Sequence, residues 1–218
     1  MTDLKKVLHV EASPRKQRSA SLEVTRAFLD ALRAKTPGLQ VDTMDLWDMA
    51  LPEFDGAALQ AKYAGLEGRA RSADEEIAWK AINAYADRFK AADLLLFSVP
   101  MWNWTVPYKL KHLIDLVSQK DVLFTFDERG MNGLLTRQRA VCVYARGADF
   151  TPGAGFPLDW DHQQPFMQTW LHSIGVTQVD AVIVQKTVMG PELDRASRDA
   201  GCREARELAQ RLSLAATR

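Results

Sequence analysis

The chain has 218 residues, 47% of them hydrophobic, with 28 basic against 28 acidic side chains and no formal net charge. That length buries enough apolar surface for one α/β domain without metal or disulfide staples, and the composition excludes disordered and fibrous classes. The charge balance gives no overall field for nucleic acid or an anionic membrane, although a local basic spot can still hold one phosphate.

The N-terminal segment has no signal-peptide core and no apolar run reaches the length of a membrane span, so a soluble, cytoplasmic protein is expected. Lys6 to Ala12 reads as a strand, and Ser13-Pro14-Arg15 stops it. A helix follows from near Ser19 to Thr36, with Leu22, Thr25, Phe28, Leu29 and Leu32 at helical spacing. Pro37 and Gly38 end it. Gln40 to Leu46 is a second strand. Strand, helix and strand in this order open a βαβ unit, which gives parallel sheets.

Trp47 to Ser72 carries few strand signals and reads as irregular. A helix is predicted over Ala73 to Ala91, and Asp74, Glu75 and Glu76 read as its solvated, dipole-favoured start. Asp93 to Val99 is a continuous apolar run, the pattern of a strand covered on both faces. Pro100 to Pro107 cannot be helix. Further elements are predicted as a helix over Lys109–Ser118, a strand over Arg139–Tyr144, a helix over Asp161–Ile174, a strand over Thr177–Val184 and a closing helix from Pro191 to Leu214. With no linker or repeat, residues 1–218 form one doubly wound domain. The expected fold is a flavodoxin-like three-layer α/β sandwich, with a five-stranded parallel sheet in the order 2-1-3-4-5 and helices on both faces. Cys142 lies in an apolar run and Cys202 on a charged helical stretch. Both read as reduced thiols.

In an open α/β sheet, ligands bind beyond the carboxyl ends of the strands, where strand order reverses. The loop after the first strand, Ser13 to Ser21, leads into a helix N-terminus, where free N–H groups and a positive dipole end suit a phosphate. Ser13, Ser19 and Ser21 add hydroxyls, and Arg15, Lys16 and Arg18 add charge. The alternative is a helix capped by Ser19 or Ser21 behind a solvated basic loop. GxGxxG and the P-loop pattern are both absent, so a monophosphate suits the loop better than a dinucleotide.

After the third strand, Pro100-Met101-Trp102-Asn103-Trp104 offers flat apolar walls and one amide, the combination a tricyclic redox ring needs. The bland alternative is core or interface packing by the two indoles. After the fourth strand, Arg146-Gly147 offers a close backbone approach or a simple turn.

Taken together, the Ser-Pro-Arg…Ser-x-Ser, Pro-Met-Trp-Asn-Trp…Pro-x-x-Leu-Lys and Arg-Gly motifs resemble the FMN-dependent NAD(P)H azoreductases and quinone reductases. The resemblance extends through Thr125-Phe126…Gly130…Gly133-Leu134-Leu135 and the Ile174-Gly175-Val176 turn. It implies bound FMN, NADH or NADPH as co-substrate, and two-electron ping-pong hydride transfer to a quinone, azo or nitro aromatic acceptor by a homodimer. Carried over, Ser13, Ser19 and Ser21 with the Ala20 backbone hold the phosphate. Pro100, Met101, Trp102, Asn103 and Trp104 lie along the ring, and Arg146 with Gly147 frames its pyrimidine end. The family commonly has Tyr and Phe where Trp102 and Trp104 stand, and Ser and Gly where Ala145 and Ala148 stand. Those departures bear on substrate range.

The segment Phe150 to Pro165 is rigid-cornered and aromatic, and its His162 is a candidate contact to substrate or product. The four histidines share no metal-ligand spacing, and no nucleophilic triad is visible. The alternatives are a flavodoxin-like electron carrier and a non-catalytic flavin-binding protein. Carriers of that kind are typically smaller and strongly acidic.

Overall fold

The computed structural model describes the backbone of residues 4–216 and the side chains as far as Ser213. Five parallel strands form the central sheet: β1 (Lys6–Glu11), β2 (Gln40–Asp45), β3 (Leu94–Pro100), β6 (Arg139–Ala145) and β7 (Val179–Val184), in the spatial order β2-β1-β3-β6-β7. This is the expected strand order. Its numbering shifts because a small antiparallel hairpin, β4 (Phe124–Asp127) and β5 (Gly130–Gly133), intervenes before β6.

Alternate residues of the strands point to opposite faces, so each face acquires its own core. On one face Val7, Leu94, Leu96, Val141 and Val143 pack beneath α1 (Ala20–Lys35) and α6 (Pro191–Ala216). On the other, Leu8, Val10, Leu95, Phe97 and Cys142 pack beneath α3 (Ala73–Ala91), α4 (Tyr108–Val117) and α5 (Gln163–Ser173). The central strands β3 and β6 are buried along nearly their whole length, which is why they read as unbroken apolar runs. Cys142 and Cys202 are both free thiols and both buried. Burial pushes Cys142 up to about 12.

The segment expected to be irregular contains a helix, α2 (Gly56–Glu67), capped by Asp55 and ended by Gly68 in the left-handed conformation. Its buried stripe is only Ala58, Ala61 and Ala64, while Leu59, Tyr63 and Leu66 face outward. A helix buried on alanines alone has no strong hydrophobic periodicity to detect. Glu75 also departs from expectation, being buried rather than solvated. Its carboxylate accepts two bonds from Arg69 at 2.8 Å and one from the Ser72 N–H, completing a capping box at the start of α3. Arg69, with help from the Ser72 amide, holds the Glu75 carboxyl down at about 2.

The hairpin is fixed to the body by a backbone contact. A Cβ on Gly133 would lie 1.9 Å from the Gly175 nitrogen, and Gly175 itself sits at φ +103. Neither position admits a side chain without moving main chain. Gly133→Ala is therefore expected to destabilise the protein by about 3 kcal/mol, read as a lowered urea midpoint. An unchanged midpoint would show that the hairpin is not seated there.

Beneath the carboxyl edge runs a buried polar chain. His9 Nε2 lies 2.8 Å from Ser98 Oγ, which lies 2.7 Å from Thr25 Oγ1. Burial lowers His9 from its ordinary 6.5 to about 4; Asp45 opposes this, and Arg26 and Arg33 reinforce it. Between those two pH values the unfolded chain binds a proton that the folded protein refuses. Stability contributed by neutral His9 is thus present above pH 6.5 and lost as pH falls toward 4. Between pH 7.5 and pH 5 the wild-type chain should lose about 2 kcal/mol more than a His9→Gln variant, measured by urea titration at both pH values. Parallel losses in the two proteins would rule out this assignment.

Candidate functional site

Because all five strands run the same way, the loops after β1, β3 and β6 emerge at one edge of the sheet. The loop ends are also bonded to one another. Ala12 N–H donates to the Ser98 carbonyl at 3.0 Å, and Met101 N–H to the Ala145 carbonyl at 2.7 Å. Trp47, just past β2, donates its indole N–H to the Ala12 carbonyl at 3.0 Å and lies 5.5 Å from the Trp102 ring. The β1 loop and the Trp102 turn therefore share a wall.

In the β1 loop, Ser13, Ser19 and Ser21 are all buried. Ser19 is the N-cap of α1 and accepts from the Leu22 N–H, while its hydroxyl lies 3.1 Å from that of Ser21. The helix capping read as the bland alternative is present. It still leaves the Ala20 and Ser21 N–H groups without intrahelical acceptors, as at any helix start. Capping and anion binding can therefore coexist at this terminus. Lys16 is not a free cation, because its ammonium pairs with Asp45 and with Asp48. The Arg18 carbonyl accepts from Arg198, which also binds Glu23 at 2.9 Å, so the loop is tied to α6.

Past β3, residues Trp102 to Thr105 form a tight two-residue turn, with Thr105 N–H bonded to the Trp102 carbonyl at 3.0 Å and the reciprocal bond at 2.9 Å. Asn103 and Trp104 both have positive φ, 44° and 72°. A turn of this kind favours Asn at its first centre and Gly at its second, so Trp104 occupies a strained position. The geometry exposes Asn103 and Trp104 and leaves the N–H groups of the two central residues without partners across the turn.

Trp104 is covered on one side by Trp160 at 5.1 Å, Phe156 at 6.2 Å and Phe150 at 6.4 Å. Arg146 is buried and bonded to Asp161 at 2.7 Å and to Gln163 at 3.1 Å. Burial lowers its affinity for the proton, and the Asp161 carboxylate offsets that. Its guanidinium thus faces the protein, and its backbone is committed as well: the N–H donates to the Val184 carbonyl at 2.8 Å, and the carbonyl accepts from the Thr187 N–H at 3.1 Å and hydroxyl at 3.0 Å. Gly147 does not have left-handed φ, and a Cβ there would lie 3.1 Å from the Val188 side chain. His162 is exposed, and its N–H donates to the Trp104 carbonyl at 3.0 Å.

On the far side of the Trp102 turn lies a cavity of about 1090 Å³, walled by Leu51, Phe54, Trp102, Asn103, Val106, Tyr108, His112 and Phe166. Trp102, through Trp47, thus joins the cavity to the serine loop, although Ser13, Ser19 and Ser21 do not line it. Trp47, Leu51 and Phe54 escaped notice in the sequence because they lie in the segment read as irregular. His112 and Phe166 belong to predicted helices and Tyr108 directly precedes one. Nothing in their spacing marks them.

The group tested for fit is a flat ring carrying a terminal phosphate. Buried hydroxyls and helix-start amides on one side of Trp47, with half-buried indoles on the other, supply both halves of what it needs.

The profile of a family described as having the flavodoxin-like fold matches residues 5–209. A Pseudomonas fluorescens protein named FMN-dependent NADH:quinone oxidoreductase 3 is 45% identical over 210 residues, covering 95% of this chain and 97% of its own length. A Burkholderia lata protein named FMN-dependent NADH:quinone oxidoreductase 9 is 49% identical over 187 residues, covering 85% and 89%. Among solved structures, an FMN-dependent NADH-azoreductase of Bacillus anthracis in complex with FMN superposes with a TM-score of 0.86 at 22% identity, over 96% of this chain and 100% of that one. At that identity the likeness is one of fold. The chain belongs to the flavodoxin-like fold family, alongside relatives named FMN-dependent NADH:quinone oxidoreductases.

Proposed function

We propose that this chain is an FMN-dependent NADH:quinone oxidoreductase, acting also on azo and nitro aromatic acceptors and taking NADH or NADPH as co-substrate. The observation that carries the reading is the pairing, through Trp47, of a serine-lined helix N-terminus with the strained indole turn. FMN, when bound, supplies the two-electron hydride chemistry between nicotinamide and quinone.

The chain's own residues bind and orient. Ser13, Ser19 and Ser21 with the Ala20 and Ser21 amides would hold the phosphate. Pro100 to Trp104 would hold the ring, with the Asn103 and Trp104 N–H groups at its polar edge and the indoles keeping water from its face. The Gly147 backbone would frame the opposite end, held in place by the bonds that Arg146 makes to Val184 and Thr187. The acceptor's protons are assigned to solvent or to the exposed His162 imidazole, whose backbone N–H is tied to the Trp104 carbonyl while its ring stays open to the medium. The exposed apolar side chains Phe126, Met131 and Leu134 on and beside the hairpin support assembly as a homodimer. Among the described residues no helix is long and apolar enough to cross a membrane, which agrees with a cytoplasmic enzyme.

The purified protein is expected to be yellow, to bleach with NADH under anaerobic conditions and to recover colour with benzoquinone, with parallel lines in double-reciprocal plots. A colourless protein that ignores added FMN would be a non-catalytic fold member. One that bleaches but passes electrons only to a protein would be a carrier.

A second experiment separates capping from phosphate binding at Ser19. Ser19→Asp preserves a good N-cap while placing negative charge where the phosphate would sit. It is expected to keep the apoprotein's helix content by circular dichroism yet weaken FMN about 100-fold or more. Undiminished FMN affinity would move the phosphate elsewhere.

A further inference from the structure

Arg146 is a cation without solvent, and its side-chain hydrogen bonds both lead to the start of α5 and the segment that enters it. Nη2 donates to Asp161 at 2.7 Å and Nε to Gln163 Oε1 at 3.1 Å, with the side chains 3% and 14% exposed in the ion pair. Gln163, itself fully buried, passes the connection on by donating to the Val99 carbonyl at 3.0 Å. The Phe150 ring lies 5.4 Å from the guanidinium on another side. Asp161 has a second duty, since its other oxygen accepts the Gln163 and Gln164 N–H groups at the start of α5.

The segment so anchored carries Phe150, Phe156 and Trp160, and it meets the Trp102–Thr105 turn through His162 N–H and the Trp104 carbonyl. Those rings cover one side of Trp104. Trp104 nevertheless remains 38% exposed and Trp160 46% exposed, with centroids 5.1 Å apart. Two half-exposed indoles beside a ring-binding turn are costly to hold in water unless something flat covers them.

We propose that Arg146 is a positioning residue: through Asp161 and Gln163 it latches the 150–162 segment against the Trp102–Thr105 turn, so that Trp104 and Trp160, set edge-to-face at 62°, form a two-sided aromatic wall selecting flat, multi-ring electron acceptors over single-ring ones. The selection rests on the function proposed above; the latch does not.

Asp161→Asn keeps the oxygen that caps α5 and loses the charge facing Arg146. Trp160→Ala leaves the latch intact and removes half of the wall. In the FMN-loaded enzyme, each variant is expected to raise KM for an anthraquinone sulfonate about ten-fold. Within about two-fold, kcat and the benzoquinone KM should hold. Trp160→Phe should restore most of the loss, and only Asp161→Asn should speed amide hydrogen exchange across residues 150–162.

An anthraquinone KM unmoved by Trp160→Ala, or both acceptors weakened alike, would overturn the wall. Unchanged exchange in Asp161→Asn would overturn the latch. Exchange is read without flavin or substrate, so a protein failing to bleach with NADH would sink the proposed function and still leave the latch decided.

Discussion

The rung from the Ala12 N–H to the Ser98 carbonyl continues the β1–β3 ladder past the end of β1, and the arrangement of the site follows from it. The chain leaves β1 for β2 on one side and later returns to β3 on the other, so the loops after β1 and β3 must diverge at this rung. Divergence opens a crevice, and parallel strands bring every neighbouring loop to the same edge. Trp47 then converts an opening into a surface, with one end of its indole on the Ala12 carbonyl and its face near Trp102. Moving any of these strands by one residue would turn the loops' side chains to the wrong face.

Charge in this region is largely committed to structure. Lys16 belongs to Asp45 and Asp48, Arg146 to Asp161, Arg198 to Glu23 and Asp194, and Lys186 to Asp149. Beside the exposed Arg15 and Arg18, attraction for an anion at the edge comes from fixed N–H dipoles and hydroxyls, which need no side-chain reordering when the ligand arrives. The left-handed Trp104 has a similar logic. Strain at one residue is offset by aromatic packing, and the turn presents its amides outward.

The sheet was legible because its central strands are covered on both faces and their sequences say so without interruption. The main helices were legible from their apolar stripes and punctuation, such as Pro37-Gly38 after α1. Alanine-faced α2 carries no such stripe, and the β4–β5 hairpin is short, polar and partly glycine. Glu75 was misread because the Ser72-x-x-Glu75 capping box was passed over and its second partner, Arg69, sits in the α2–α3 connection outside any helical pattern. At the site, residue types conveyed the kind of surface but not its attachments. A serine before a helix cannot announce whether it caps or binds, and Ser19's geometry permits both. The resemblance placed Arg146 at the frame of the ring, but it carried no information on what the guanidinium itself would bind. Its side-chain partner, Asp161, lies fifteen residues along the chain at the start of a predicted helix, and helical spacing gives no sign of that contact.

The two thiols acquire a meaning once quinones are considered. Quinones are electrophiles and alkylate thiolates readily, so an enzyme that turns them over risks modifying itself. Cys142 lies inside the sheet with its proton held to about 12, and Cys202 is tucked between α6 and the sheet, its acidity also lowered by burial. Neither offers a nucleophile to the medium. By burying both thiols, the fold protects the catalyst from its own substrate.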